Sequence, residues 1–330
     1  MVSDTAVRAL IATLGAAFAT AAGAAAVTDA PQYPSRPIRV IVPFTPGSGT
    51  DIVGRAVAQS LNESWRQSIV VDNRPGAGGT IAGETVAKAN PDGYTLMLGN
   101  VSTLAIARSL YPKLAYDPLR DFAPITLITT SENVVVVHPS VPVDSIKSLI
   151  AYAKAKPRQL NYGSAGSGTT SHLGGAMFAT MAGVEMTHVP YKGSGPSLVD
   201  LLGGQLQLSF ASVPTALAHI KAGRLRALAV TRLERSKTLP ELPTVHEMGL
   251  TGFDISLWQG IVAPAGTPQS VIMKLNAQIV ANLRTPELSA KLASQGLDVV
   301  GSRPGEFGAY IKAEADKWAK VVKATGARAD

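Results

Sequence analysis

The spacing of apolar residues changes from a strand pattern to a helix pattern several times along the chain. Ile38, Val40, Ile41 and Val42 form a short apolar run ended by Pro43, the signature of a buried strand. A proline- and glycine-bearing loop follows through Gly49. Thr50 or Asp51 then offers a helix cap, because a side-chain oxygen there accepts free backbone N–H groups of the first turn. Val53, Val57 and Leu61 continue at helical spacing on one face. Gly47 and Gly49 let the backbone approach a ligand without interference from Cβ. The helix start beyond them carries unpaired N–H groups and a partial positive charge, which suits a carboxylate or phosphate.

The same sequence of strand, turn and helix recurs. Strands are predicted over 69–71 and 94–98, followed by turns at 73–80 and 99–103 and by helices ending at 89 and near 110. An irregular connection leads to an extended run at 125–138. Strands at 160–162, 186–189 and 206–210 follow a helix over 144–156, each leading into a small-residue turn and a further helix. A strand at 225–230 closes this block. A second extended run covers 253–262, and three helices follow at 268–283, 286–295 and 304–325, each with a proline where the first turn tolerates it. Alternating strands and helices place the chain in the α/β class, with parallel-rich sheets covered by helices. The runs 125–138 and 253–262 lack helix-opening glycines and bracket the middle block. They predict crossovers between two lobes with a cleft between them. The expected division is a leader over 1–26, a discontinuous lobe 1 from 31–130 and 258–330, and lobe 2 over 131–257.

Composition narrows the function classes. The chain is 46% hydrophobic and 16% charged, which is globular rather than disordered. It contains no cysteine, so disulfides, thiolate metal sites, cysteine nucleophiles and a lipidated N-terminal cysteine are excluded. Residues 9–27 are apolar and alanine-rich, and Ala24–Ala26 offer a small-x-small cleavage pattern. A signal peptide and an exported, periplasmic protein are expected, with a retained transmembrane anchor as the rival reading. The formal charge of +7 can steer anionic solutes. Its lysines and arginines are scattered, without basic runs interleaved with aromatics, so no nucleic-acid partner is expected.

Four turns carry the candidate chemistry: 45–51, 99–103, 163–170 and 191–197, two in each expected lobe. Loops at the carboxyl ends of strands line the ligand crevice of α/β sheets. Lobe closure would therefore surround an anion with N–H groups and hydroxyls from both sides. Enzyme signatures are absent: the chain has no Walker A pattern, no G-x-S-x-G elbow and no H-E-x-x-H. His138, His172, His188, His219 and His246 lack metal-ligand spacing. Several residues admit two readings. His172 reaches a ligand or packs at a helix start, and Asp51 is an acid/base or only a cap. Trp258 and Gln259 contact a ligand or belong to the core.

The motifs themselves carry a resemblance. They include PFTPGSGTD (43–51), VDNRPGAGGTIAGETVAKANPDGYTL (71–96), YDPLRDFAPITL (116–127), LNYGSAGSGTTSHLGG (160–175) and HVPYKGSGPSLVDLLGGQ (188–205). IKAGRLRALAVT (220–231), LPTVHEMGLTGF (242–253) and GIVAPAGTP (260–268) extend it. From residue 33 to the C-terminus the chain resembles the Bug family, the periplasmic solute-binding proteins of tripartite tricarboxylate transporters. The resemblance implies a two-lobed periplasmic-binding-protein fold of the Venus flytrap, type II-like kind. Such a protein closes on a small carboxylate and delivers it to membrane permease subunits, as a monomer, without cofactor, metal or catalysis. It implies that Phe44, Gly47, Ser48 and Asp51 face Ser164, Gly166, Gly168 and Thr169 across the ligand. Ser102, Thr103, Tyr191, Ala211, Ser212 and Trp258 complete the expected pocket. Two departures stand out. Gly47-Ser48 replaces a frequent Gly-Gly, and Ala211-Ser212 replaces the Asp-Asn of many relatives. Loss of that carboxylate removes the natural partner of an ammonium group. It points to an uncharged-tail or aromatic mono- or dicarboxylate. Two other roles share these features: a sensory component that presents the solute to a membrane sensor kinase, and an exported α/β hydrolase or transferase.

Overall fold

The computed structural model describes residues 33–329, so the leader expected over 1–26 lies outside the described residues. From Arg36 onward, β1 (Ile38–Val42) runs parallel between β2 (Ile69–Asn73) and β3 (Thr95–Asn100). Helix α1 (Gly49–Trp65) connects β1 to β2 and buries Val53, Val57 and Leu61, as their spacing predicts. It stops at Arg66, whose left-handed backbone (φ 51°) lets its N–H close on Asn62 O. Helix α2 (Thr80–Ala87) connects β2 to β3. The regular helix expected after β3 is instead a π-helical turn, Ser102–Ile106, followed by the short α3 (Ala107–Leu110). Asn100 sets this geometry, because its Oδ1 accepts the N–H groups of Ser102 and Thr103.

The second parallel group contains β5 (Asn161–Ser164), flanked by β6 (Thr187–Pro190) and β7 (Leu208–Ser212). Its helices are α4 (Ile146–Ala155), α5 (Thr170–Ala182), α6 (Ser194–Leu202) and α7 (Val213–Lys221). Two antiparallel strands join the groups. The 16-residue β4 (Phe122–Val137) pairs with β9 (Ser256–Pro264) from Phe122 to Glu132. From Asn133 onward it pairs with β7, and from Val134 with β8 (Arg226–Val230). The strand order is β2-β1-β3-β9-β4-β7-β5-β6, with β8 and a two-residue β10 (Asp298–Val299) also on β4. A two-residue strand has no periodicity, so β10 left no mark in the sequence pattern.

The expected second crossover, 253–262, differs in one respect. Its strand begins only at Ser256, and all its partners lie on β3 and the first part of β4. The preceding residues are held by side-chain and backbone bonds instead: Ile255 N–H donates to Thr231 O, and Thr231 Oγ1 donates to Ile255 O.

Helices α8 (Gln269–Leu283), α9 (Pro286–Ala293) and α10 (Pro304–Thr325) follow β9. Helix α10 presents Phe307, Ile311 and Trp318 to the core. Trp258 of β9 packs edge-on against Phe307 and Tyr310, and its Nε1–H donates to Glu314 Oε2 at 2.8 Å. Trp318 Nε1–H donates to the same oxygen at 3.1 Å, so two indoles satisfy one buried carboxylate. Gly260 sits under this cluster, where a Cβ would lie 2.3 Å from Phe307 Cζ and 2.7 Å from Thr126 O. Overpacking against backbone cannot relax by a rotamer change. Gly260→Ala is expected to cost on the order of 1–3 kcal/mol, read as a lower urea midpoint at an unchanged m-value.

Candidate functional site

Strands β3, β9, β4 and β7 are neighbours in the sheet, and they floor a cavity of about 50 Å³. Asn100 comes from β3, Leu257 and Gln259 from β9, Asn133 from β4, and Ser209, Ala211 and Ser212 from β7. Register explains the grouping, since Asn100 pairs with Gln259 and Asn133 with Ser212.

The walls are the starts of four helices. Ser48, Gly49 and Thr50 open α1, and Thr169, Thr170 and Ser171 open α5. Ser194 and Ser197 belong to the first turns of α6, and Ser212 and Thr215 to those of α7. Each helix start presents N–H groups without intrahelical partners and the positive end of the helix dipole. The wall contains seven serines and four threonines but no Asp, Glu, Lys, Arg or His among the described residues. An anion here would be held by dipoles and hydroxyls rather than by a counter-charge.

Ser48 caps α1 by accepting Asp51 N–H at 3.2 Å, so the cap lies ahead of the expected Thr50 or Asp51, which already belong to the first turn. Asp51 instead ties the loop together. Its carboxylate accepts from Gly47 N–H at 2.9 Å, Arg55 Nε at 3.0 Å and Asn73 Nδ2 at 2.9 Å. Burial pushes this carboxyl up. The bonds from Arg55, Gly47 and Asn73, with the charge of Arg55, outweigh burial and hold it below the ordinary value. Gly47 adopts φ +79°, and a Cβ there would meet open space, so backbone conformation selects glycine at this position. Close approach matters at Gly49, where a Cβ would lie 3.3 Å from Ser212 Oγ.

The β5–α5 loop is braced from within. Ser164 Oγ accepts Gly166 N–H at 3.1 Å and bonds His188 Nε2 at 2.6 Å. His172 Nδ1 accepts Gly168 N–H at 3.1 Å, and its ring stacks on His188 at 4.1 Å. His172 therefore supports the loop. Thr169 caps α5 and donates its hydroxyl to Gly166 O at 2.7 Å. The two strand groups meet beside this loop. Tyr111 OH donates to Ser167 O at 2.8 Å, and a Cβ on Gly78 would lie 2.3 Å from that same carbonyl.

Of the residues singled out from sequence, Phe44, Ser48, Ser102, Thr169, Ala211 and Ser212 come together on the cavity wall. Gly47, Asp51, Thr103, Ser164, Gly166 and Gly168 lie in the turns behind it. Tyr191 bonds Asp200 through its hydroxyl, and burial with that bond pushes the phenol up to about 12. Trp258 lies in the core. Asn100, Asn133, Ser209 and Thr215 were not singled out. The readable signal for the two asparagines was a polar residue at the edge of an apolar strand run, in LMLGN and NVVVV. No group of three His, Cys, Asp or Glu is placed to hold a metal among the described residues.

Asp51 makes the loop pH-sensitive in a defined sense. Its lowered folded-state value means that its contribution is fully present above the unfolded value of 3.8 and is lost as pH falls through the folded value. Asp51→Asn is expected to lower stability at pH 6 and to flatten the decline below pH 4, followed by urea midpoints across that range.

Comparison with known proteins agrees with this architecture. Residues 53–327 match the family model described as "Tripartite tricarboxylate transporter family receptor" (TctC). Protein BugT of Bordetella pertussis is 40% identical over 320 residues, covering 97% of this chain and 98% of its own. A Rhodopseudomonas palustris protein solved with adipate is 39% identical with a TM-score of 0.88, covering 90% of this chain and 100% of its own. MatC from the same organism, solved with bound malate, is 32% identical with a TM-score of 0.85, covering 88% and 100%. The α/β periplasmic-binding-protein fold and the family resemblance of the motifs are thereby shown. The chain belongs to the TctC, or Bug, family of periplasmic solute-binding receptors, whose members bind solutes rather than transform them.

Proposed function

We propose that this chain captures a small carboxylate in the cavity floored by β3, β9, β4 and β7 and delivers it to the membrane subunits of a tripartite tricarboxylate transporter. The observation that carries this reading is the convergence of four helix N-termini on one wall without a charged side chain. The dipoles favour an anion, and the missing acidic lining leaves an ammonium group without a partner. Adipate and malate in the two solved relatives support a dicarboxylate of four to six carbons.

In this reading the parallel groups are two lobes, 31–130 with 258–330 and 131–257. β4 exchanges its partners between Glu132 and Asn133, close to the proposed boundary. The leader over 1–26 would send the receptor to the periplasm, where it would act as a monomer.

A ligand that binds only the folded state stabilises it by about 2.7 kcal/mol at a hundredfold excess over Kd. For a chain of this size that is a rise in melting temperature of roughly 5 °C. Such a rise is expected from at least one of succinate, malate, glutarate or adipate, and not from aspartate or glutamate. Stabilisation by the amino acids alone would refute the assignment of a carboxylate without an ammonium group.

A further inference from the structure

The cavity floor leaves specific hydrogen bonds unmade. Asn133 is 1% exposed, and neither its Oδ1 nor its Nδ2 has a partner among the described residues. Ser197 Oγ and Gln259 Oε1, each in a side chain 3% exposed, are open in the same way. All three residues line the cavity. Their neighbour Asn100 shows the contrast. Its Oδ1 accepts from Ser102 and Thr103 N–H, and its Nδ2 reaches Thr50 Oγ1 at 3.4 Å. The Asn100 side chain holds a turn, whereas the Asn133 carboxamide bonds nothing among the described residues.

The backbone of Asn133 is fixed from both sides. Its N–H donates to Thr231 Oγ1 at 3.0 Å, and its carbonyl accepts Thr231 N–H at 3.0 Å. Thr231 is completely buried and also bonds Ile255 O at 2.7 Å. The carboxamide is therefore presented to the cavity on a rigid support. A buried polar group without a partner is costly, so such a group retained on a ligand wall marks what the ligand supplies.

Both ends of the Asn133 amide are open, so turning the amide over changes nothing. The partner must donate to the oxygen and accept from the nitrogen. A carboxylate only accepts, and a methylene does neither. A hydroxyl does both. We infer that Asn133 is a subsite for a hydroxyl carried on the solute, so that the preferred ligand is a hydroxycarboxylate rather than its saturated analogue. The inference rests on the carboxylate reading above and adds the second group that the cavity recognises. Site discrimination of this kind is strong because a deoxy analogue leaves the buried amide unpaired.

Titration calorimetry on the mature chain with matched pairs tests it: malate against succinate, 2-hydroxyglutarate against glutarate, and 3-hydroxybutyrate against butyrate. The hydroxy member of at least one pair is expected to bind at least tenfold more tightly. Asn133→Leu, checked for folding by its melting transition, is expected to bring that ratio close to one. The wild-type ratios stand as a test by themselves if the variant does not fold. Equal or tighter binding of the deoxy acids, as when water fills the Asn133 position, overturns the inference and leaves the carboxylate reading intact. A hydroxy preference that persists in Asn133→Leu also overturns it. Absence of heat from every acid overturns the carboxylate reading and the hydroxyl subsite with it.

Discussion

The backbone hydrogen bonding of β4 is the constraint on which the rest of the structure depends. One strand of 16 residues pairs first with β9 and then with β7 and β8, without an intervening loop. That continuity places β3, β9, β4 and β7 side by side. It also aims the helix-opening turns of two separate parallel groups at one space. Neither group alone contains a complete wall: β1–α1 and β3 supply one part, and β5–α5, α6 and β7–α7 the other.

The chemistry of that wall follows from economy of residue type. Serine and threonine at a helix start serve the fold by capping N–H groups, as Ser48 and Thr169 do. The other N–H groups of each first turn have no intrahelical partner. Charged residues are kept behind the wall, where Asp51 and Arg55 stiffen the first loop without entering it. At the proposed site, oriented backbone held by buried polar bonds would already be preorganised when it meets a solute.

Much of this was legible in the sequence because it is local. A strand followed by small residues and an apolar helical stripe is visible in a window of about fifteen residues, and such units from 38 to 230 are present in the fold, except that the stretch after β3 is not a regular helix. What was not legible depends on pairing between distant residues. Trp258 could be a ligand contact or a core residue, and Asp51 an acid/base or a cap, until bonds to Glu314 and Asn73, distant in the chain, gave both a supporting role. Asn133 was hidden for the opposite reason, since its carboxamide has no partner among the described residues. The π-helical turn at Ser102–Ile106 was also lost, because a widened turn and a regular one share the same apolar spacing.

The uncharged wall has a consequence for how the receptor responds to acidity. None of its side chains is an Asp, Glu, Lys, Arg or His, so the wall itself has no proton to gain or lose across the range in which those groups titrate. Under the carboxylate reading proposed above, a titration at the wall would be that of the solute, while the protein's own response to acid lies behind the wall, in groups such as the Asp51 carboxylate that ties the first loop.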